Sequence, residues 1–532
     1  MTEPSSSKSF RPGVIGYLFS ADSFSSRGRR IASVLILLLW LAFVVLLCAK
    51  HEYWRDEIRA FSIALEPDSF WGLPSALTDE GHPVLWYVIL RAGFLITRSP
   101  VIIGIASVGL AFASVVVFYR TSPFPAWQKL LFLFSVLPIY EYSVMARNYG
   151  VGMLLFFVFA MLYRRRNRNP IWIGVTLAAL ANTSAHACIL AGAMTAAWLF
   201  DDVVIGRRSL NIRRGIVLAC ALLIAAAGIL CSVRTMLPTS ATVVTNAMSL
   251  SASAYMNAMW ESFIHPGAHL TSFAIGLPGV VADILVWLLA AGLLIRPHLA
   301  ISLLAGNVAL GTFFTTVIPA HLRHQGILLI FAITLYWIAY GPAMVPQQRK
   351  LPGLLRHAYR ASLYLVLTVI FVNHVVLSVW SIRSDLNVER SSSKAFGQFI
   401  DSTAEFQDAI IMGEPDVALE ALPYYVRNRI YLPREERFAN RTRLTLASKP
   451  TLTLGDLLRT AQRIKATERK PVLVVLGRIK PTHQRPYEYH YIYNKSFVRT
   501  PGDWSDFRSQ TRKVASFDHA VTDENYSVYA VQ

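Results

Sequence analysis

The feature that most constrains this chain is a succession of apolar runs that begins at Ile31 and ends near Trp380, separated by short clusters of Lys and Arg. An α-helix needs about 20 apolar residues to cross the hydrocarbon core of a bilayer. The runs at 31–49, 101–119, 130–145, 150–163, 170–184, 187–200, 215–234, 274–295, 299–318, 326–341 and 361–380 predict an α-helical polytopic membrane protein. The count is about 11 transmembrane helices. Past residue 380 the apolar stretches shorten, at 409–412, 429–432 and 471–476, and flank a helical pattern at 454–466. That alternation predicts a soluble α/β domain. The expected division is a cytoplasmic N-terminal segment at 1–30, a membrane domain at 31–380 and an outward-facing α/β domain at 381–532.

Composition agrees with this reading. Only 16% of residues are charged, against about 25% in ordinary soluble domains. A net charge of +19 invites a nucleic-acid reading, yet the basic residues sit between apolar runs, as at 164–168 and 207–214. The positive-inside rule places such clusters on the cytoplasmic side, so no nucleic-acid partner is expected. The four cysteines (Cys48, Cys188, Cys220, Cys231) lie in or beside apolar runs, which leaves neither a disulfide framework nor a Cys metal site. Arg27, Arg29 and Arg30 precede a run long enough to span, with no small-residue cleavage site after it, so an uncleaved first helix is expected. No P-loop or G-x-G-x-x-G occurs.

The segment 82–97 is apolar but short and carries Arg91. Counted as a span it would put 164–168 outside; read as an interfacial helix it leaves the basic clusters inside. The second choice turns the loop 50–100, the Arg147-Asn148-Tyr149 turn, the loop 235–272, the turn 321–325 and the tail outward.

Polar groups of chemical interest then gather on that side. Asp56 and Glu57 follow the first span within a few residues, so a base there meets both lipid-borne and water-borne substrates. Helix capping or pairing with Arg55 is the competing role. The same loop carries Asp79-Glu80-Gly81-His82-Pro83. Arg323, followed by His324, stands at the start of a late span, where a guanidinium can grip a lipid phosphate bidentately or simply snorkel to the interface. His186, Glu261 and His265 are expected mainly as structural groups, while Glu141 is expected either to stand in as a second carboxylate or to pair with Arg147 at a helix end. Asp79, His82 and His265 match no metal-ligand spacing, so no cofactor is expected and a divalent metal has no support. Tyr424, Tyr425, the 487–493 stretch and Trp504 would stack on sugars, build the tail's core or meet the membrane domain.

An acidic pair just after the first span, followed by a His-Pro entry (His82-Pro83) into an aromatic interfacial helix (Trp86, Tyr87), resembles the first external loop of GT-C glycosyltransferases. That superfamily includes the protein O-mannosyltransferases and the bacterial aminoarabinose transferases. The resemblance covers roughly the first 200 residues in order, and the plan to the C-terminus. It implies sugar transfer from a polyprenyl-phosphate donor to a glycan, lipid or protein acceptor on the outer face, with Asp56 the catalytic carboxylate and Glu57 its customary neighbour. Asp79, Glu80, His82, Arg147, Tyr149, Arg323 and His324 are the implied substrate contacts. For a bacterium this means the inner membrane, with a periplasmic active face. Met145-Ala146-Arg147-Asn148-Tyr149-Gly150 departs from the acidic second turn of many relatives and resembles an Arg-x-Tyr variant, which removes an obvious second carboxylate.

The main rival is a transporter or a flippase of lipid-linked glycans. Such a protein would show charges at mid-bilayer and an internal repeat. Asp283 stands alone in the early part of a span, and no repeat is apparent. A membrane-anchored binding protein would need only one or two of these helices.

Overall fold

The computed structural model describes residues 27–166, 168–205, 212–239, 251–341, 353–477, 487–491 and 495–532. Residues 1–26 of the expected N-terminal segment, Asn167 and residues 207–211 of the basic turns, residues 240–250 of the expected loop 235–272, and residues 492–493 of the aromatic stretch lie outside the described residues.

The apolar runs form helices α1 (Arg27–Lys50), α2 (Arg55–Leu65), α3 (Leu85–Thr97), α4 (Ile102–Thr121), α5 (Ala126–Leu133), α6 (Tyr149–Tyr163) and α7 (Pro170–Ala181). They continue as α8 (Ala185–Phe200), α9 (Ile212–Met236), α10 (Ala252–Ile264), α11 (Gly279–Gly292), α12 (Pro297–Thr316), α13 (Leu322–Tyr340) and α14 (Gly353–Asn387). Among the described residues seven of these are long and apolar enough to cross a membrane, α1, α4, α8 together with its π-helical continuation to Ile205, α9, α12, α13 and α14, while α3, α6, α7 and α11 are shorter apolar helices. Helix α13 is central, with 89% of its apolar window buried, whereas α1 and α9 at 22% keep most of their apolar surface outward. A helix apolar all round and covered by protein belongs to the middle of a bundle, and one left bare belongs against lipid.

The expected span at 130–145 is not a continuous helix. Helix α5 stops at Leu133, and a π-helical turn, Leu137–Glu141, follows. Pro138 has no amide to continue an α-helical ladder, and the Tyr142 amide bonds the Leu137 carbonyl instead, at 2.8 Å. Irregular backbone is tolerated at membrane depth only when protein covers it. Here every residue of the turn is buried. The break delivers the chain to the Arg147 turn at the head of α6.

In the tail, α15 (Ser393–Ser402) leads into β1 (Ile410–Glu414), β2 (Ile430–Leu432), β3 (Arg437–Phe438), β4 (Thr451–Thr453), α16 (Leu454–Glu468) and β5 (Val472–Gly477). The chain ends with β6 (Tyr487–Tyr491), β7 (Lys495–Arg499), α17 (Pro501–Ser509), β8 (Thr511–Phe517) and β9 (Tyr526–Val531). A six-stranded sheet runs in the order β3-β2-β1-β5-β9-β8, and β4-β7-β6 form a second. Strand β1 is parallel to β2 and β5, and β9 is antiparallel to β5. Strand alternation supplies two cores. Ile410, Met412, Val472 and Val474 face α16, while Ile411, Leu473 and Val475 pack on the α15 side with Phe396 and Ile400.

The tail docks on the first loop. Arg59 of α2 holds Glu80 through two hydrogen bonds of 2.7 and 3.0 Å and also pairs with Glu420 of the tail. Arg441 of the tail reaches Glu80 at 3.0 Å and Glu66 at 2.7 Å. Tyr425 donates its hydroxyl to the Tyr53 carbonyl at 3.0 Å, and Tyr424 packs edge-on against the Tyr53 ring. These two tail tyrosines therefore serve docking.

Candidate active site

Helix α2 starts where the sequence provides its first turn. Trp54 is extended and stands before the helix, and Glu57, three residues on, accepts the Trp54 amide at 3.3 Å. The acidic Asp56 and Glu57 complement the positive end of the helix dipole. Ile58, Phe61 and Ile63 bury its other face.

The two carboxylates point to different environments. Glu57 is fully buried: Oε1 accepts the Ala146 amide at 2.6 Å, and Oε2 lies 3.1 Å from His51 Nε2. His51 Nδ1 in turn faces both oxygens of Asp385, near the end of α14, at 3.1 and 3.2 Å. An imidazole with a carboxylate at each nitrogen can satisfy both only by donating twice, as imidazolium. Burial alone would lower the His51 pKa, but Glu57 and Asp385 outweigh it and push it up to about 9.

Asp56 is half-open, with 28% of its side chain exposed. Its Oδ2 lies 2.6 Å from Arg147 and 3.3 Å from Arg323. Burial favours the neutral acid, but Arg147, Arg323 and Arg55 together hold the carboxyl down to about 2. Arg55 is itself paired with Asp523 of the tail at 2.8 Å. Trp54 lies under this group, with the Arg55, Arg323 and Arg390 guanidinia each 5.8 to 5.9 Å from its ring centroid.

The structure thus brings Asp56, Arg147 and Arg323 into contact from the first loop, the turn before α6 and the first turn of α13. Tyr149 comes within reach of Arg323, and its ring stacks on Tyr142. His82 joins the group electrostatically. Burial, with Arg147 beside it, lowers its pKa to about 4, so it is a neutral imidazole at pH 7.

Other expected contacts lie elsewhere. Glu80 is tied into the Arg59–Arg441 network, and Asp79 accepts the Thr239 amide at 2.7 Å on the surface. His324 is buried, stacks on His186 at 4.6 Å and takes the His321 amide at 3.2 Å through Nδ1. Glu57 touches no open space, and its contacts fix the Ala146–Arg147 backbone. Glu261 and His265 lie by α10, where His265 faces Asp283 at 3.3 Å. Among the described residues no three His, Cys, Asp or Glu side chains form a group able to hold a metal.

Sequence reasoning missed His51, Asp385, Glu524 and Arg441. Glu524 accepts the Arg55 amide at 2.8 Å and the Ser391 hydroxyl at 2.5 Å, so the tail caps the helix that carries Asp56. An acid in the last apolar helix and a histidine just past the first were the available signals, since buried charges at span ends require partners.

Asp201 closes the far end of the bundle. It takes Tyr163 and Arg166 at 2.8 Å and Arg296 at 3.1 Å, which ties the ends of α6 and α8 to the start of α12. Arg166 and Arg296 at that end therefore fasten helices.

No family model matches this chain, and no curated protein matches it. Among solved structures it is similar to ArnT from Cupriavidus metallidurans bound to undecaprenyl phosphate, at 12% identity and a TM-score of 0.47, over 95% of this chain and 98% of that one. The apo state of the same protein gives 11% identity and a TM-score of 0.44, over 94% and 98%.

Proposed function

We propose that this protein is a membrane glycosyltransferase that moves a sugar from a polyprenyl-phosphate-linked donor to a glycan, lipid or protein acceptor at the outer face of the membrane. One observation carries the reading: a partly open carboxylate, Asp56, shares its site with two guanidinia, Arg147 and Arg323, at the ends of apolar helices. A base beside an excess of cationic forks suits the attack of a hydroxyl on a carbon whose leaving group is a phosphate.

In the step proposed, the acceptor oxygen bonds the anomeric carbon and the bond from that carbon to the phosphate oxygen breaks. Asp56 takes the acceptor's proton, and polyprenyl phosphate leaves with the electron pair. Because this leaving group is a stable anion, one carboxylate suffices where glycoside hydrolysis normally uses two. Arg147 and Arg323 meet the charge that grows on the phosphate.

The test is mass spectrometry of surface glycans and lipids from a deletion strain, complemented with the wild type or with Asp56→Asn. One missing sugar, restored only by the wild type, names donor and acceptor together. An unaltered set of envelope sugars with a block in movement of an intact lipid-linked glycan would point to the flippase reading instead.

A further inference from the structure

Arg147 and Arg323 are placed to hold a phosphate, yet in the structure both are engaged by the group that would serve as base. Asp56 Oδ2 alone takes Arg147 at 2.6 Å and Arg323 at 3.3 Å. A carboxylate so paired is a weak proton acceptor, because protonating it would abandon two guanidinia in a partly buried site. Of the other charged or titratable groups around Asp56, Arg55 adds to the hold on the carboxylate, but its own charge is balanced. Arg55 is taken by Asp523, His82 and His321 are both shifted by burial toward the neutral imidazole, and Tyr149 and Glu141 lie on the side of Arg323.

We propose that Asp56 and the donor's phosphate compete for Arg147 and Arg323, so that the arrival of the donor releases Asp56 to act as base and the departure of the product resets it. This rests on the glycosyltransferase reading above. The charges in contact support it. At rest, two guanidinia face one carboxylate, an excess of one positive charge. A phosphodiester donor brings one negative charge and neutralises that excess. When the sugar leaves, the phosphate gains a second negative charge as Asp56 becomes neutral by taking the acceptor's proton, so the step is neutral over the site as a whole. Once polyprenyl phosphate departs, the guanidinia fall back on Asp56 and drive its proton into solvent.

The same competition must appear in binding, because coupling between two ligands of one site is reciprocal. The probe is undecaprenyl phosphate alone, titrated into the full-length protein in lipid nanodiscs, with thermal unfolding confirming that each variant folds. Asp56→Asn, which keeps the shape and removes the competitor, should bind the probe roughly tenfold tighter than wild type, the equivalent of a carboxyl shift of about one pKa unit. That gain should shrink in the Arg147→Ala and Arg323→Ala backgrounds, as a double-mutant cycle would reveal.

Binding to Asp56→Asn no tighter than to wild type overturns the competition. So does a gain that persists undiminished without the arginines, which would be plain like-charge repulsion. If wild type and Asp56→Asn both ignore the probe while remaining folded, the phosphate reading of the site fails, and the proposed function with it.

Discussion

Glu57 accepts the Ala146 amide at 2.6 Å, and the next residue, Arg147, lies 2.6 Å from Asp56. Neighbouring carboxylates on α2 therefore hold two ends of one turn, Glu57 its backbone and Asp56 its guanidinium. The two should fail differently. Asp56→Asn should lower transfer by about a hundred- to ten-thousand-fold, the usual worth of a general base, and should also cost some stability, because it leaves Arg147 and Arg323 without their carboxylate in a partly open site. Glu57→Gln should lower transfer less and stability more, because it strips the charge from a buried partner of His51. A transfer assay paired with thermal unfolding in detergent checks this, and equal stability losses would contradict the division of roles.

His51 gives the stability of the site a pH dependence. Its pKa rises from 6.5 to about 9 in the folded protein, so the stabilisation from its Glu57 and Asp385 pairs is complete below about 6.5 and fades as pH climbs through about 9. Thermal midpoints measured between neutral pH and pH 10 should fall for the wild type. In His51→Gln the midpoint should start lower and lose this alkaline slope. A wild-type midpoint flat across that range would show that His51 is not held as imidazolium.

How much of this the sequence displayed differs from residue to residue. Apolar runs predicted most helices, because burial in lipid imposes a one-dimensional pattern that a single chain exhibits. The break at Pro138 was hidden, since the residues around it are as apolar as a span and only tertiary cover permits the irregular backbone. Asp56, Arg147 and Arg323 stood out as polar groups at span ends on one expected face. The His51–Asp385 contact joins the first span to the last, and the Glu524 cap joins the tail to the first loop. No local periodicity encodes such pairings.

Arg441 tests how far the tail stabilises the first loop. It reaches Glu66 and Glu80, and Glu80 keeps Arg59 when Arg441 is removed. Arg441→Ala should therefore cost about 1–3 kcal/mol, the range for a buried acceptor left partly unsatisfied. Hydrogen exchange should quicken at α2 and around residues 420 and 442 of the tail before it changes in α13. Uniform exchange changes across the bundle would argue against a local latch.

Arg323 separates holding the donor from activating the acceptor. Its backbone is fixed, since Tyr142 donates its hydroxyl to the Arg323 carbonyl at 2.7 Å, so a substitution there alters the head group and leaves the helix start in place. If Arg323 meets the donor's phosphate, Arg323→Ala should raise the apparent KM for the polyprenyl-phosphate sugar and lower kcat as well, because phosphate charge grows toward the transition state. Arg323→Lys should recover only part of both, as an ammonium supplies a charge without the planar fork that grips two oxygens. The acceptor's KM should stay nearly constant in either variant. Steady-state kinetics with each substrate varied in turn checks the assignment, and a defect confined to the acceptor would move Arg323 out of the donor site and leave Arg147 as the phosphate contact.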